Sequence, residues 1–150
     1  MISSRESSPS IVRPASIIEP AAHPVASIRS RAMNQPDDIA QELDACATRS
    51  RDATAQGAQA FARLLQLAEQ RNSGQIVCVV QFIAATYNGQ VFAFDLFDLR
   101  ALDVAISDDM LRCLDALRWA RADLYSLVPY GDARVRSVIE RWGLRWPEGA

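Results

Sequence analysis

The sequence predicts an all-α fold: a compact bundle of four or five short helices behind a disordered N-terminal tail. Three observations point there. Apolar residues recur at helical spacing from about Gln56 to the C-terminal end. The connections between the periodic stretches are short and polar, as in a bundle. The first 36 residues show no periodicity at all and carry Pro9, Pro14, Pro20 and Pro24 among many serines. Such a stretch cannot bury enough apolar surface to offset its ordering entropy. With 150 residues the chain is long enough for one domain and too short for two full ones.

Residues 1–36 are therefore expected to be a disordered tail, residues 37–55 a weak helix and linker, and residues 56–147 a helical domain. Met33 stands where the proline- and serine-rich composition gives way to helical periodicity, so either Met1 or Met33 is a candidate start. Pro36-Asp37-Asp38 is a helix-start signal, with acids favoured in the first turn. Ile39, Leu43 and Cys46 or Ala47 follow it at helical spacing. The polar stretch Ser50–Gly57 reads as a linker.

Phe61, Leu64, Leu65 and Ala68 then mark an amphipathic helix, closed by Asn72-Ser73-Gly74, where Ser73 can cap the next element. Segment 75–94 is ambiguous. Its β-branched residues and Asn88-Gly89 suggest a hairpin. Ile76, Val79, Val80, Ile83, Ala84 and Tyr87, however, form a complete helical stripe. Helix is the reading adopted, with Asn88-Gly89 as its stop and Gln90–Phe94 extended. Asp95 opens a short helix through Leu99. Asp103 or Ser107 opens another with Ile106, Met110, Cys113, Leu114 and Leu117 on its buried face. Asp132 is expected to cap a last helix through Val135, Val138, Ile139 and Trp142, closed by Gly143. Leu65, Val80, Ile83, Met110, Leu114 and Ile139 should share one core.

Missing residue types exclude whole chemistries. All sixteen Lys+Arg positions are arginine. Without lysine there is no Schiff base, no pyridoxal-phosphate anchor and no P-loop lysine. The one histidine, His23, lies in the Pro/Ser/Ala-rich tail, so imidazole-based triads, dyads and paired-histidine zinc sites cannot be built in the folded part. Cys46, Cys78 and Cys113 form no C-x-x-C pair, and Cys78 and Cys113 read as small hydrophobes in apolar stripes. No cofactor is expected. A net charge of -2 gives no global basic field. No apolar run is long enough for a membrane span, so a cytoplasmic, non-membrane protein is expected.

Ser73-Gly74-Gln75, Val80-x-Phe82, Phe94-Asp95-Leu96-x-Asp98-Leu99 and Asp103-x-x-Ile106-x-Asp108-Asp109-Met110-Leu111 resemble an uncharacterised family of small bacterial proteins. The resemblance runs from about Phe61 to Trp142. It implies a proteobacterial setting, often an integrative conjugative element or plasmid, and no activity. Between Tyr87 and Phe94 the chain departs from the family pattern. The family's Trp pair and Gly pair are replaced there by Thr86-Tyr87 and Ala93.

Two constellations remain. Asp95, Asp98, Asp103, Asp108 and Asp109 form an acidic run that reads as helix caps and surface pairs such as Asp108 with Arg112, as an acidic partner-binding face, or as an oxygen-ligand metal site. Downstream, seven arginines from Arg112 to Arg145 interleave with Trp119, Trp142 and Trp146, a pattern that can grip phosphate and stack bases. Acids punctuate that stretch too. The expected function is a non-enzymatic protein-binding accessory or regulatory factor of a mobile element or its host. Its partner surface is drawn from Asp95, Asp98, Asp108, Asp109, Arg141, Arg145 and Trp146. A nucleic-acid-binding accessory factor and a carboxylate-metal enzyme are the alternatives.

Overall fold

The computed structural model describes residues 36–146. The expectations of a disordered tail and of a start at Met33 concern residues outside that range. Among the described residues there are four α-helices and two short 3-10 turns, and no strand. The helices are α1 (Pro36–Gln70), α2 (Gly74–Tyr87), α3 (Val104–Leu117) and α4 (Gly131–Arg141); the turns span Leu96–Ala101 and Leu124–Leu127. The all-α bundle stands, and the ambiguous segment is helix α2 rather than a hairpin.

Helix α1 departs most from expectation. It begins at Pro36 with Asp37 and Asp38 in its first turn and runs unbroken for 35 residues, so Ser50–Gly57 is helix and not linker. The reason is packing. Ser50, Ala53 and Gly57 are buried, and at Gly57 α3 comes closest to α1. A β-carbon on Gly57 would stand 2.3 Å from Ala116 Cβ and 3.1 Å from the Arg112 carbonyl oxygen. Small and polar residues look like a linker in sequence, yet they are what lets two helix backbones approach closely. Tertiary burial outweighs weak local propensity here.

The two helices run antiparallel. Arg63 meets Asp109, Gly57 meets Cys113 and Ala116, and Arg49 lies over the Trp119 ring. On the other side α2 buries Ile76, Val79, Val80, Phe82, Ile83 and Ala84. Its length follows from that stripe, and it stops where Asn88 folds its side chain back to accept from the Gln90 and Val91 amides. Residues 88–94 form a turn and an irregular return, without the extended strand expected there. The return lays Phe94 edge-on against Phe82 at 5.3 Å.

One core results. Phe61, Leu64, Leu65, Ile76, Val79, Val80, Phe82, Ile83, Met110, Leu124, Val135 and Ile139 are fully enclosed. Five of the six expected core residues are among the buried side chains; Leu114 packs against the cluster half-buried.

The caps are mixed. Asp95 accepts from the Phe97 amide at 2.9 Å, as expected. Ser73 and Asp103 occupy N-cap positions but make no side-chain cap bond. At Asp103 the backbone carbonyl accepts from Ile106 and Ser107, and its own amide donates to Gln75 Oε1. Asp132 is not the cap of α4. That position belongs to Tyr130, which adopts a left-handed φ of 56°. The sharp entry presses Gly131 so close to the preceding turn that a β-carbon there would sit 1.9 Å from the Tyr125 carbonyl oxygen. At the other end Gly143 takes a φ of 68°. Its amide reaches the Glu140 carbonyl while that of Leu144 reaches Ile139, a Schellman closure.

Candidate functional site

The acidic run is divided by the fold into parts with different work. Asp109 lies one turn before Cys113 on the buried face of α3 and is itself buried. The carboxylate accepts from Arg63 Nε at 2.8 Å and Arg63 Nη2 at 2.7 Å, a bidentate clamp from α1. Arg112 Nη1 adds a third bond at 2.8 Å. The Arg63 guanidinium, and Arg112 after it, hold the Asp109 carboxyl below the usual carboxylate range against the opposing effect of burial. Asp109 is therefore a tie between α1 and α3, not part of an open acidic face. Arg112 pairs with it rather than with Asp108. Arg63 was not singled out in sequence; its position one residue before Leu64 on an amphipathic helix gave no signal for a long-range partner.

Asp108 remains exposed and lines a shallow groove with Ala53, Gln56, Leu111, Arg112 and Asp115. Asp95 and Asp98 belong to a different place. They sit at the start of the first 3-10 turn, beside Leu96 and Phe97, which are 63% and 71% exposed. Leu96 forms the rim of an open apolar cleft of about 400 Å³, floored by Phe82, Phe92, Phe94, Leu114 and Leu117. The Asp95 side chain caps the turn that carries Leu96 and Phe97, both exposed. Arg100 stacks over the Phe97 ring at 5.3 Å. Half-buried Leu114 is explained too, since it lines the cleft.

Two of the three C-terminal candidates, Arg141 and Trp146, make contacts within the fold. Arg141 Nη1 donates to the Glu69 carbonyl and Nη2 to Asn72 Oδ1, capping the end of α1. Trp146 packs edge-on against Phe92 at 4.9 Å and Tyr87 at 6.0 Å. Arg145 is exposed. Around them Arg134 clamps Glu69 through two bonds of 2.7 and 2.9 Å, and Arg118 pairs with Asp115. Tyr87 donates to Asp132, which also receives Arg136; burial and that bond to Asp132 push the Tyr87 hydroxyl up. Trp142 Nε1 donates to the Ala68 carbonyl, while Trp119 Nε1 is buried without a partner.

Chemically the described residues offer little reactivity. No group of three or more His, Cys, Asp or Glu side chains among them converges as metal ligands would. Cys113 donates toward the Gly57 carbonyl, and burial pushes its thiol up to about 12. Cys78 is also raised, by burial and then by Asp98. No described helix is long and apolar enough to cross a membrane.

Comparison with known proteins places this geometry in a sequence family. No curated protein and no solved structure matches the chain. A family model, described as a family of unknown function (DUF7673), matches residues 58–143, which run from the middle of α1 through the cleft to the Schellman closure of α4. That is more than half of the sequence, and the chain belongs to that family.

Proposed function

We propose that this is a non-enzymatic protein-binding factor, accessory or regulatory in role, which uses the cleft between α2, α3 and the first 3-10 turn. What supports the reading above all is exposed Leu96 on the rim of an apolar cleft, with exposed Phe97 next to it in the chain. Adjacent exposed apolar side chains beside a concave apolar floor mark interaction surfaces more often than they mark chance. The partner is a polypeptide segment that places an aliphatic or aromatic side chain in the cleft. Asp95 and Asp98 at the rim favour a basic residue next to that side chain.

Chemistry elsewhere in the chain agrees with a binding role. A raised, buried thiol is the reverse of an activated nucleophile. A carboxylate clamped by two arginines is the reverse of a general base. Arg112, Arg118, Arg134, Arg136 and Arg141 are engaged inside the fold, which weakens the case for a phosphate-gripping surface. The proposed setting is the cytoplasm of a bacterium, on a mobile element or in its host.

The test is affinity capture from the native host with the wild-type chain and with Leu96→Ser/Phe97→Ser. Both replaced side chains are exposed, so the variant should melt like wild type. A protein captured by wild type, retained at high salt and lost by the variant supports the reading. Equal capture by both, or capture of nucleic acid that falls steeply with salt, overturns it.

A further inference from the structure

Helix α1 carries a seam that is longer than the body it packs on. Ile39, Leu43, Cys46, Ser50, Ala53, Gly57, Ala60 and Leu64 follow one another at alternating steps of four and three. This is the 3.5-residue repeat of a coiled-coil seam rather than the 3.6 of a plain surface helix. From Ser50 to Leu64 the seam is buried, with α3 as its antiparallel partner. Helix α3 ends at Leu117 and its following turn brings Trp119 to Arg49. Beyond that point Pro36–Arg49 is exposed along its whole length, about 20 Å of helix at 1.5 Å per residue. Ile39 is 46% and Leu43 66% exposed, and Cys46 is exposed.

We infer that a second copy of this chain covers the bare part of the seam, with the two segments Pro36–Arg49 paired antiparallel. This goes beyond the cleft reading and does not depend on it. Continuity is the first argument: the seam already takes an antiparallel helix, and a partner's segment takes up the role where α3 stops. The charges supply the second. In the register that sets Leu43 opposite Cys46, the flanking positions Glu42 and Arg49 face each other across the pair, twice by symmetry. A parallel pairing would instead set Glu42 and Arg49 beside Ala47 and Thr54, with no complementarity. None of Glu42, Arg49 and Arg51 takes part in an ion pair among the described residues. Ala40 and Ala47 on the other flank leave room for close approach.

The seam is short, so the dimer is a weak one, forming over roughly micromolar concentrations rather than nanomolar ones. Sedimentation velocity of the full chain from 1 to about 200 μM should show a concentration-dependent monomer–dimer equilibrium. Leu43→Asp should shift the chain to monomer at least tenfold in concentration without changing its melting temperature, because Leu43 is 66% exposed and lies outside the hydrophobic core. Glu42→Arg should weaken the dimer, and Glu42→Arg/Arg49→Glu should restore it. The two Cys46 residues lie about three residues apart along the pair, an offset of about 4.5 Å, so a short bismaleimide should link them in wild type and not in Cys46→Ser. A monomer at every concentration overturns the inference. So does a dimer indifferent to Leu43→Asp, or a charge exchange that fails to restore association. Dimerisation only after removal of residues 1–35 also overturns it, since the occupant would then be the chain's own N-terminal segment.

Discussion

Gly57→Ala tests the packing of α1 on α3 most sharply, because two effects of known sign oppose each other there. In a helix interior alanine is better than glycine by about 1 kcal/mol. Local propensity alone therefore makes the substitution stabilising. The structure says otherwise: the new methyl would lie 2.3 Å from Ala116 Cβ, whereas carbon atoms rest about 3.5–4.0 Å apart. Neither carbon is on a flexible arm. The helix axes must separate by more than an ångström, loosening Ala53, Ala60 and Cys113 along the same seam. Overpacking of this kind costs roughly 1–3 kcal/mol, and a contact between two backbone-fixed methyls belongs at the upper end. The expected net loss is about 2 kcal/mol, read as a fall of about 1 M in the urea midpoint at an m-value near 2 kcal/mol/M. Ala116→Gly removes the obstructing carbon, so Gly57→Ala/Ala116→Gly should recover most of the loss. The cycle should show a coupling of at least 1 kcal/mol. A Gly57→Ala protein as stable as wild type, or a double mutant with additive losses, would refute the crossing geometry.

Other expectations follow from single contacts. Gly131→Ala should cost more than Gly57→Ala and fail to be rescued by side-chain changes, since the obstacle is the Tyr125 backbone carbonyl; thermal melts decide it. Asp109→Asn should cost about 1–2 kcal/mol at neutral pH, discounted because Arg63 and Arg112 are about half exposed. With the folded pKa of Asp109 depressed, its contribution is present above the unfolded carboxylate range and is lost as pH falls through the folded value. The wild-type advantage over Asp109→Asn should thus shrink below about pH 4; an advantage unchanged at pH 2 contradicts the clamp. Asp95→Ala should lower stability by about 0.5–2 kcal/mol, and Asp103→Ala by much less, since only Asp95 makes a side-chain cap bond. Maleimide labelling of the native chain should be fast at Cys46 and absent at Cys113 until unfolding.

The helices with clear apolar stripes were legible in the sequence: α2, α3 and α4 follow from periodicity, and Asp95 and Gly143 announce their turns. Three things were not legible, each for a physical reason. Ser50–Gly57 looks polar and breakable, because close helix crossings select small residues whose value lies in the partner's backbone. Asp109 looks like its exposed neighbour Asp108, because its ion pair to Arg63 spans 46 residues and leaves no local pattern. Tyr130 as the entry to α4 could not be foreseen, since its left-handed backbone is imposed by the preceding turn rather than by its side chain. Of the candidate site, Asp95 and Asp98 lie beside the cleft. Leu96 and Phe97 between them carry no signal of exposure, because apolar residues in a helical pattern read as core.

The reading of the chain as a protein-binding factor is tested most directly by hydrogen–deuterium exchange on its complex with the protein captured from the host. The account expects slowed exchange over Phe92–Leu99 and at the Leu114–Leu117 end of α3, with α4 and the Arg141–Trp146 segment unchanged. Protection confined to α4 and that C-terminal segment, with the first 3-10 turn exchanging as in the free chain, would contradict it.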